Sequence, residues 1–136
     1  DPSSFSAVKD FVGSEFGHLD ILVNNAAVCF NDPTLYGKAP FTPFQRQAAI
    51  TINTNFFGTL GVTQAMLPLL QKAASLSSPG RPSVSRIVNV GSSAGRLAIL
   101  KSQEHFDTFT SPELTIQDIE QLMRGFIHAA EAGGHE

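Results

Sequence analysis

The sequence predicts an α/β fold in which a parallel sheet is crossed by helices. Two short apolar runs, Leu19-Asp20-Ile21-Leu22-Val23 and Arg86-Ile87-Val88-Asn89-Val90, are too brief for helices and lack the alternation of a half-exposed strand. Stretches of helical period precede, separate and follow them, giving the order helix, strand, long helix, strand, helix. Two parallel strands cannot bury both of their faces, so the sheet is expected to extend beyond these 136 residues.

The first helix is read from Phe5, Val8, Val12 and Phe16, with Lys9, Asp10 and Glu15 on the polar side. Ser3 or Ser4 is expected to cap its start and Gly17 its end. After the first strand, residues 29–43 carry Pro33, Pro40, Pro43, Asp32 and Gly37 and read as a surface loop. Phe44, Ala48, Ile52, Phe56, Ala65 and Leu69 then follow a helical period to about Leu70, and Pro68 is expected to kink or restart that helix. Gly58 and Gly61 lie inside it, each costing about 1 kcal/mol relative to alanine, so close packing or a distortion is expected there.

Residues 75–85 are rich in Ser, Pro and Gly and read as a flexible connection to the second strand. The chain after Gly95 is expected to be irregular until Thr115. There Thr115 with Asp118 forms a capping-box pattern. Ile116, Ile119, Met123, Phe126, Ile127 and Ala130 make the apolar stripe of a final helix, which Gly133-Gly134 ends.

A net charge of −3 and the absence of a basic run exclude an electrostatic case for nucleic acid. No apolar run approaches the roughly 18 residues of a membrane span, so no membrane partner is expected. With only Cys29, no internal disulfide can form, and a cytoplasmic setting is the simplest expectation. Cys29 has no basic neighbour in sequence to lower its pKa and is expected to be a small apolar filler. His18, His105, His128 and His135 lack metal-ligand spacing, so no metal is expected, and Glu113, Asp118, Glu120 and Glu131 read as a solvated side.

Ligands of open parallel sheets bind at the carboxyl ends of the strands. The first strand ends in Asn24-Asn25-Ala26-Ala27 and the second leads to Ser92-Ser93-Ala94-Gly95, so small residues that admit a flat ligand to the backbone are expected on one rim. Asn55, among Ile52, Phe56 and Phe57, either turns outward to water or sits at a kink where its carbonyl holds a structural water.

Leu22-Val23-Asn24-Asn25-Ala26-Ala27 is similar to the N-N-A-G element of short-chain dehydrogenases/reductases. Asn55-Phe56-Phe57-Gly58 resembles that family's N-x-x-G motif, and Arg86-Ile87-Val88-Asn89-Val90-Gly91-Ser92-Ser93 resembles the strand that delivers its catalytic serine. Asp32-Pro33, Pro43-Phe44, Thr54-Asn55-Phe56-Phe57-Gly58-Thr59 and Ser111-Pro112-Glu113-Leu114 look most like the carbonyl reductase branch. The resemblance implies a Rossmann-type doubly wound parallel sheet, incomplete at both ends, with residues 1–136 the central part of one domain. Residues 102–136 would be the helical insertion of carbonyl reductases.

It further implies hydride transfer between NADPH and a small ketone, aldehyde or quinone. Ser92 would bond the substrate carbonyl, and Asn55 would anchor the water of a proton relay. Asn24, Asn25, Ala26 and Ala27 would meet the cofactor, Asn25 nearest the adenosine-side ribose. Ala27 and Gly91 depart from the family's usual glycine and serine.

No T-G-x-x-x-G-x-G occurs, and Tyr36, the one tyrosine, is followed four residues later by Pro40 rather than lysine. With Asp1 in first place, the chain is therefore expected to be an internal piece, inactive alone. The resemblance implies a monomer when the enzyme is complete, because the stripe of Ile116, Ile119, Met123, Phe126 and Ile127 suits an inserted helix that covers the surface through which other relatives pair. Two alternatives stand beside this reading: a non-catalytic truncated protein that binds a partner, and a steroid or polyketide ketoreductase of the same superfamily.

Overall fold

The computed structural model describes residues 2–30, 42–76, 80 and 84–134. Its elements are α1 (Pro2–Glu15), β1 (Ile21–Asn24), α2 (Phe44–Ile52), a π-helical turn (Asn53–Gly58), α3 (Thr59–Ser75), β2 (Arg86–Asn89), two 3-10 turns (Ser93–Gly95 and Leu97–Ile99), α4 (Gln103–Thr110) and α5 (Ile116–Glu131). They fall into two compact units: one within residues 1–27 and 53–90, the other within 28–52 and 91–136.

The first unit holds the sheet. Pro2 opens α1 at the position where a missing N–H costs nothing. Ser3 and Ser4, expected as caps, therefore lie inside the first turn. Gly17 ends the helix as expected, in the left-handed region at φ 75°, where its N–H meets the carbonyls of Val12 and Gly13 at 3.2 and 3.1 Å. β1 and β2 then pair in parallel with Asn24 opposite Asn89, and the N–H groups of Arg86 and Val90 donate to Asp20 and Asn24 at 2.9 Å.

α3 packs on α1 and β1 and buries Met66, Leu70 and Ala73. Leu19 N–H donates to the Leu69 carbonyl at 3.2 Å, which ties the entry of β1 to this helix. Leu22 and Asn24 are half-buried, whereas Ile21 and Val23 on the opposite face are exposed, as are Ile87, Val88 and Val90. Exposed apolar residues of this kind are what a larger parallel sheet covers with further strands and helices.

α3 runs from Thr59 to Ser75 with Pro68 inside it, so the helix does not restart at the proline. Gln64, whose carbonyl loses its helical donor to the proline, is solvent-exposed, so water can satisfy it. The irregularity falls instead at Asn53–Gly58.

In the second unit α2 packs on α5, with Ala48 and Ala130 buried. The expected stripe of α5 is graded: Ala130 is fully buried, Ile119, Met123 and Ile127 are half-buried, and Ile116 and Phe126 are exposed. The capping box forms as predicted. Asp118 N–H donates to Thr115 Oγ1 at 3.2 Å while Thr115 N–H donates to Asp118 Oδ2 at 2.9 Å.

Two expectations are corrected here. The stretch before Thr115 is not irregular throughout, because α4 forms over eight residues with Ser102 Oγ accepting from His105 N–H at 3.3 Å. Phe106, Thr108, Phe109 and Thr110 favour strands as much as helices, so the cap was its main legible signal. Cys29 is exposed rather than a core filler, since it lies in coil and not on a face that could carry it inward. The expected loop over 29–43 and connection over 75–85 lie largely outside the described residues.

Candidate functional site

The carboxyl end of β1 is cross-linked through one side chain. Asn24 Nδ2 donates to Asn89 Oδ1 at 2.8 Å and to Thr63 Oγ1 at 3.0 Å, spending both of its amide hydrogens. The end of β1 is thereby held to the end of β2 and to α3. Asn25, Ala26 and Ala27 follow directly, are exposed and carry little or no side chain beyond Asn25. Their backbone is open to a ligand lying flat on the rim. The four residues expected at a cofactor site thus divide, with Asn24 bonded inward and the next three facing solvent.

Asn55 is the third residue of the π-helical turn in the same unit and is half-buried. A π turn shifts the hydrogen-bond register by one residue and is enriched at functional sites. Gly58 closes this turn, and an added Cβ there would stand 3.4 Å from the Asn53 carbonyl oxygen, at the edge of ordinary contact. Phe56 and Phe57 meet edge to face with ring centres 4.9 Å apart. At Gly61 the expected close packing is present, because the Phe5 ring of α1 closes on it.

Ser92, in the second unit and three residues after Asn89 in sequence, caps the first 3-10 turn. Its Oγ accepts from Ala94 N–H at 3.2 Å, and the hydroxyl proton is left to donate outward from an exposed residue. Ser93 contributes its backbone, whose carbonyl accepts from Arg96 Nε at 2.7 Å. Among the described residues no group of three His, Cys, Asp or Glu could hold a metal ion. His18 is half-buried and 3.3 Å from Asp20, and His105 and His128 are exposed. His135 lies outside the described residues.

A family profile described as short chain dehydrogenase matches residues 1–103. The chain belongs to that family. Carbonyl reductase (NADPH) 1 of Rattus norvegicus is 36% identical over 137 residues, covering 98% of this chain and 43% of the relative. The same protein of Homo sapiens is 35% identical over 139 residues, covering all of this chain and again 43% of its own length. Menthone neomenthol reductase from Mentha piperita superposes with a TM-score of 0.76 at 31% identity, covering 98% of this chain and 53% of that one. The family's fold is the Rossmann-type sheet, to which the parallel pair of β1 and β2 corresponds. The chain spans less than half the length of the curated relatives it matches.

Thr63 and Asn89 were not singled out by sequence reasoning as parts of the rim. Thr63 lies within α3 and belongs to none of the motifs read from the sequence. The signal that could have found it is spacing, since eight residues from Asn55, close to two turns, place both on one helix face.

Proposed function

We propose that the full-length protein carrying this chain is an NADPH-dependent carbonyl reductase acting on small ketones, aldehydes or quinones. The observation that carries this reading is where the similarity extends. The family profile stops at residue 103, whereas the carbonyl reductases match essentially the whole chain, through α4 and α5. That difference supports reading residues 102–136 as the helical insertion of that branch.

The rim fits a nicotinamide cofactor. Asn25, Ala26 and Ala27 are exposed, and the two alanines add little side chain over the backbone beside the strand end. When bound, the cofactor supplies the hydride. Asn25 would hold the adenosine-side ribose, and Ala26 and Ala27 would admit the cofactor to close range. The Ser92 hydroxyl donates to the substrate carbonyl oxygen, where negative charge develops as the carbon is reduced. The Asn55 carbonyl, which like any carbonyl has two lone pairs, would accept from the water of a proton relay.

Among the described residues no helix is long and apolar enough to cross a membrane, and the reading includes a cytoplasmic monomer. The test is NADPH oxidation by the full-length protein with a panel of simple quinones, aldehydes and ketones. Turnover that stops on Ser92→Ala supports the reading. Absence of turnover with every carbonyl in the panel overturns it.

A further inference from the structure

The Asn24 amide joins three elements at the point where β1 gives way to the exposed residues Asn25, Ala26 and Ala27. Both of its hydrogens are spent within the fold, on Thr63 Oγ1 of α3 and on Asn89 Oδ1 of β2. Its backbone carbonyl is also used, accepting from Val90 N–H at 2.9 Å. Asn24 is therefore the last fixed residue before a segment whose two alanines have no side chain with which to anchor themselves. The direction in which that segment leaves the sheet is set at Asn24, and the side-chain bond fixing Asn24 to the helix layer comes from Thr63.

We propose that Thr63 is a positioning residue for the nicotinamide cofactor, acting through Asn24 on the backbone of residues 25–27. This rests on the reading above that those residues receive NADPH. Thr63 need not touch the cofactor. Its hydroxyl accepts one amide hydrogen, and Asn89 accepts the other, so the amide plane cannot rotate without losing both bonds. Removing the hydroxyl leaves a half-buried donor without its partner and lets the amide turn, and the following backbone moves with it.

The test compares Thr63→Val, which keeps the shape and loses the hydroxyl, with Thr63→Ser, which keeps the hydroxyl. Both are made in the full-length protein. Backbone amide order parameters of residues 25–27 from NMR relaxation read the positioning without any cofactor, and KM and kcat for NADPH oxidation read its consequence. Thr63→Val should lower the order parameters at 25–27 and raise KM for NADPH about tenfold, with a smaller change in kcat, the scale of one lost hydrogen bond. Thr63→Ser should restore both.

Unchanged order parameters at 25–27 in Thr63→Val overturn the proposal, whether or not NADPH binds. Lowered order parameters with an unaltered KM in an active enzyme overturn the link to the cofactor. Lowered order parameters in a protein whose wild type ignores NADPH leave the positioning standing and sink the reading of function instead.

Discussion

The edge of the Phe5 ring stands where a side chain at Gly61 would have to begin. A Cβ built on Gly61 would lie 2.7 Å from Phe5 Cε2, closer than two carbons can approach without something moving. The contact joins α1 to α3 at one end, and Gly13, whose Cβ would meet Leu69 at 3.6 Å, joins them further along. Small residues on both helices let their backbones come close, which sets α3 over β1 and so places Thr63 beside Asn24.

Gly61→Ala is therefore expected to destabilise the protein despite improving helix propensity. The propensity gain is about 1 kcal/mol. Displacing a packed ring costs about 1–3 kcal/mol, so the packing loss prevails. Chemical denaturation should show a lower midpoint for Gly61→Ala and recovery when Phe5→Leu is added. A single variant more stable than wild type would show that the ring yields without cost.

Ser92→Ala should lower kcat of the full-length enzyme by roughly two orders of magnitude, the usual scale for a lost donor to a developing oxyanion. Ser93→Ala should have far less effect, because Ser93 contributes its backbone carbonyl to Arg96. Steady-state kinetics on the two variants decides between them. A larger loss in Ser93→Ala would move the catalytic hydroxyl by one residue.

The start of α5 carries a pH dependence of defined sign. Asp118 has its carboxyl held below the ordinary value of 3.8, first by the Thr115 hydroxyl and then by the Thr115 backbone N–H, which outweigh slight desolvation. A carboxylate whose pKa is lower in the folded than in the unfolded protein adds stability above the unfolded value. That contribution is lost as pH falls from about 3.8 through the lowered folded value. The difference in denaturation midpoint between wild type and Thr115→Val should be full at neutral pH and shrink below pH 3.8. A difference independent of pH would mean that Asp118 does not couple to the cap.

Much of this was legible in the residues, for reasons that also mark where legibility stopped. Both strands were found within one or two residues, because their short apolar runs end in Asn, Gly or Ser and are too brief for helices. The capping box at Thr115 and the glycine stop at Gly17 are local chemistry and need no tertiary information. Pro68 does not restart the helix, because the exposed Gln64 carbonyl can take water in place of the lost bond, and that exposure is not written in the sequence. Cys29 misled, since its composition suggested a core that its coil segment does not reach. At the rim, Asn24 was picked out by its position at a strand end. Its bonds to Thr63, 39 residues away, and Asn89, 65 residues away, required the fold itself.

Hydride transfer from NADPH to a carbonyl carbon is the reaction proposed for the full-length protein. It can be followed by supplying that protein with NADPH deuterated on the transferred position of its nicotinamide ring, together with a simple aldehyde or ketone, and analysing the alcohol formed by mass spectrometry and NMR. The expected product is an alcohol carrying one deuterium on the former carbonyl carbon, formed in step with loss of NADPH and suppressed in Ser92→Ala. NADPH left unconsumed, or an alcohol without deuterium at that carbon, would rule the reaction out.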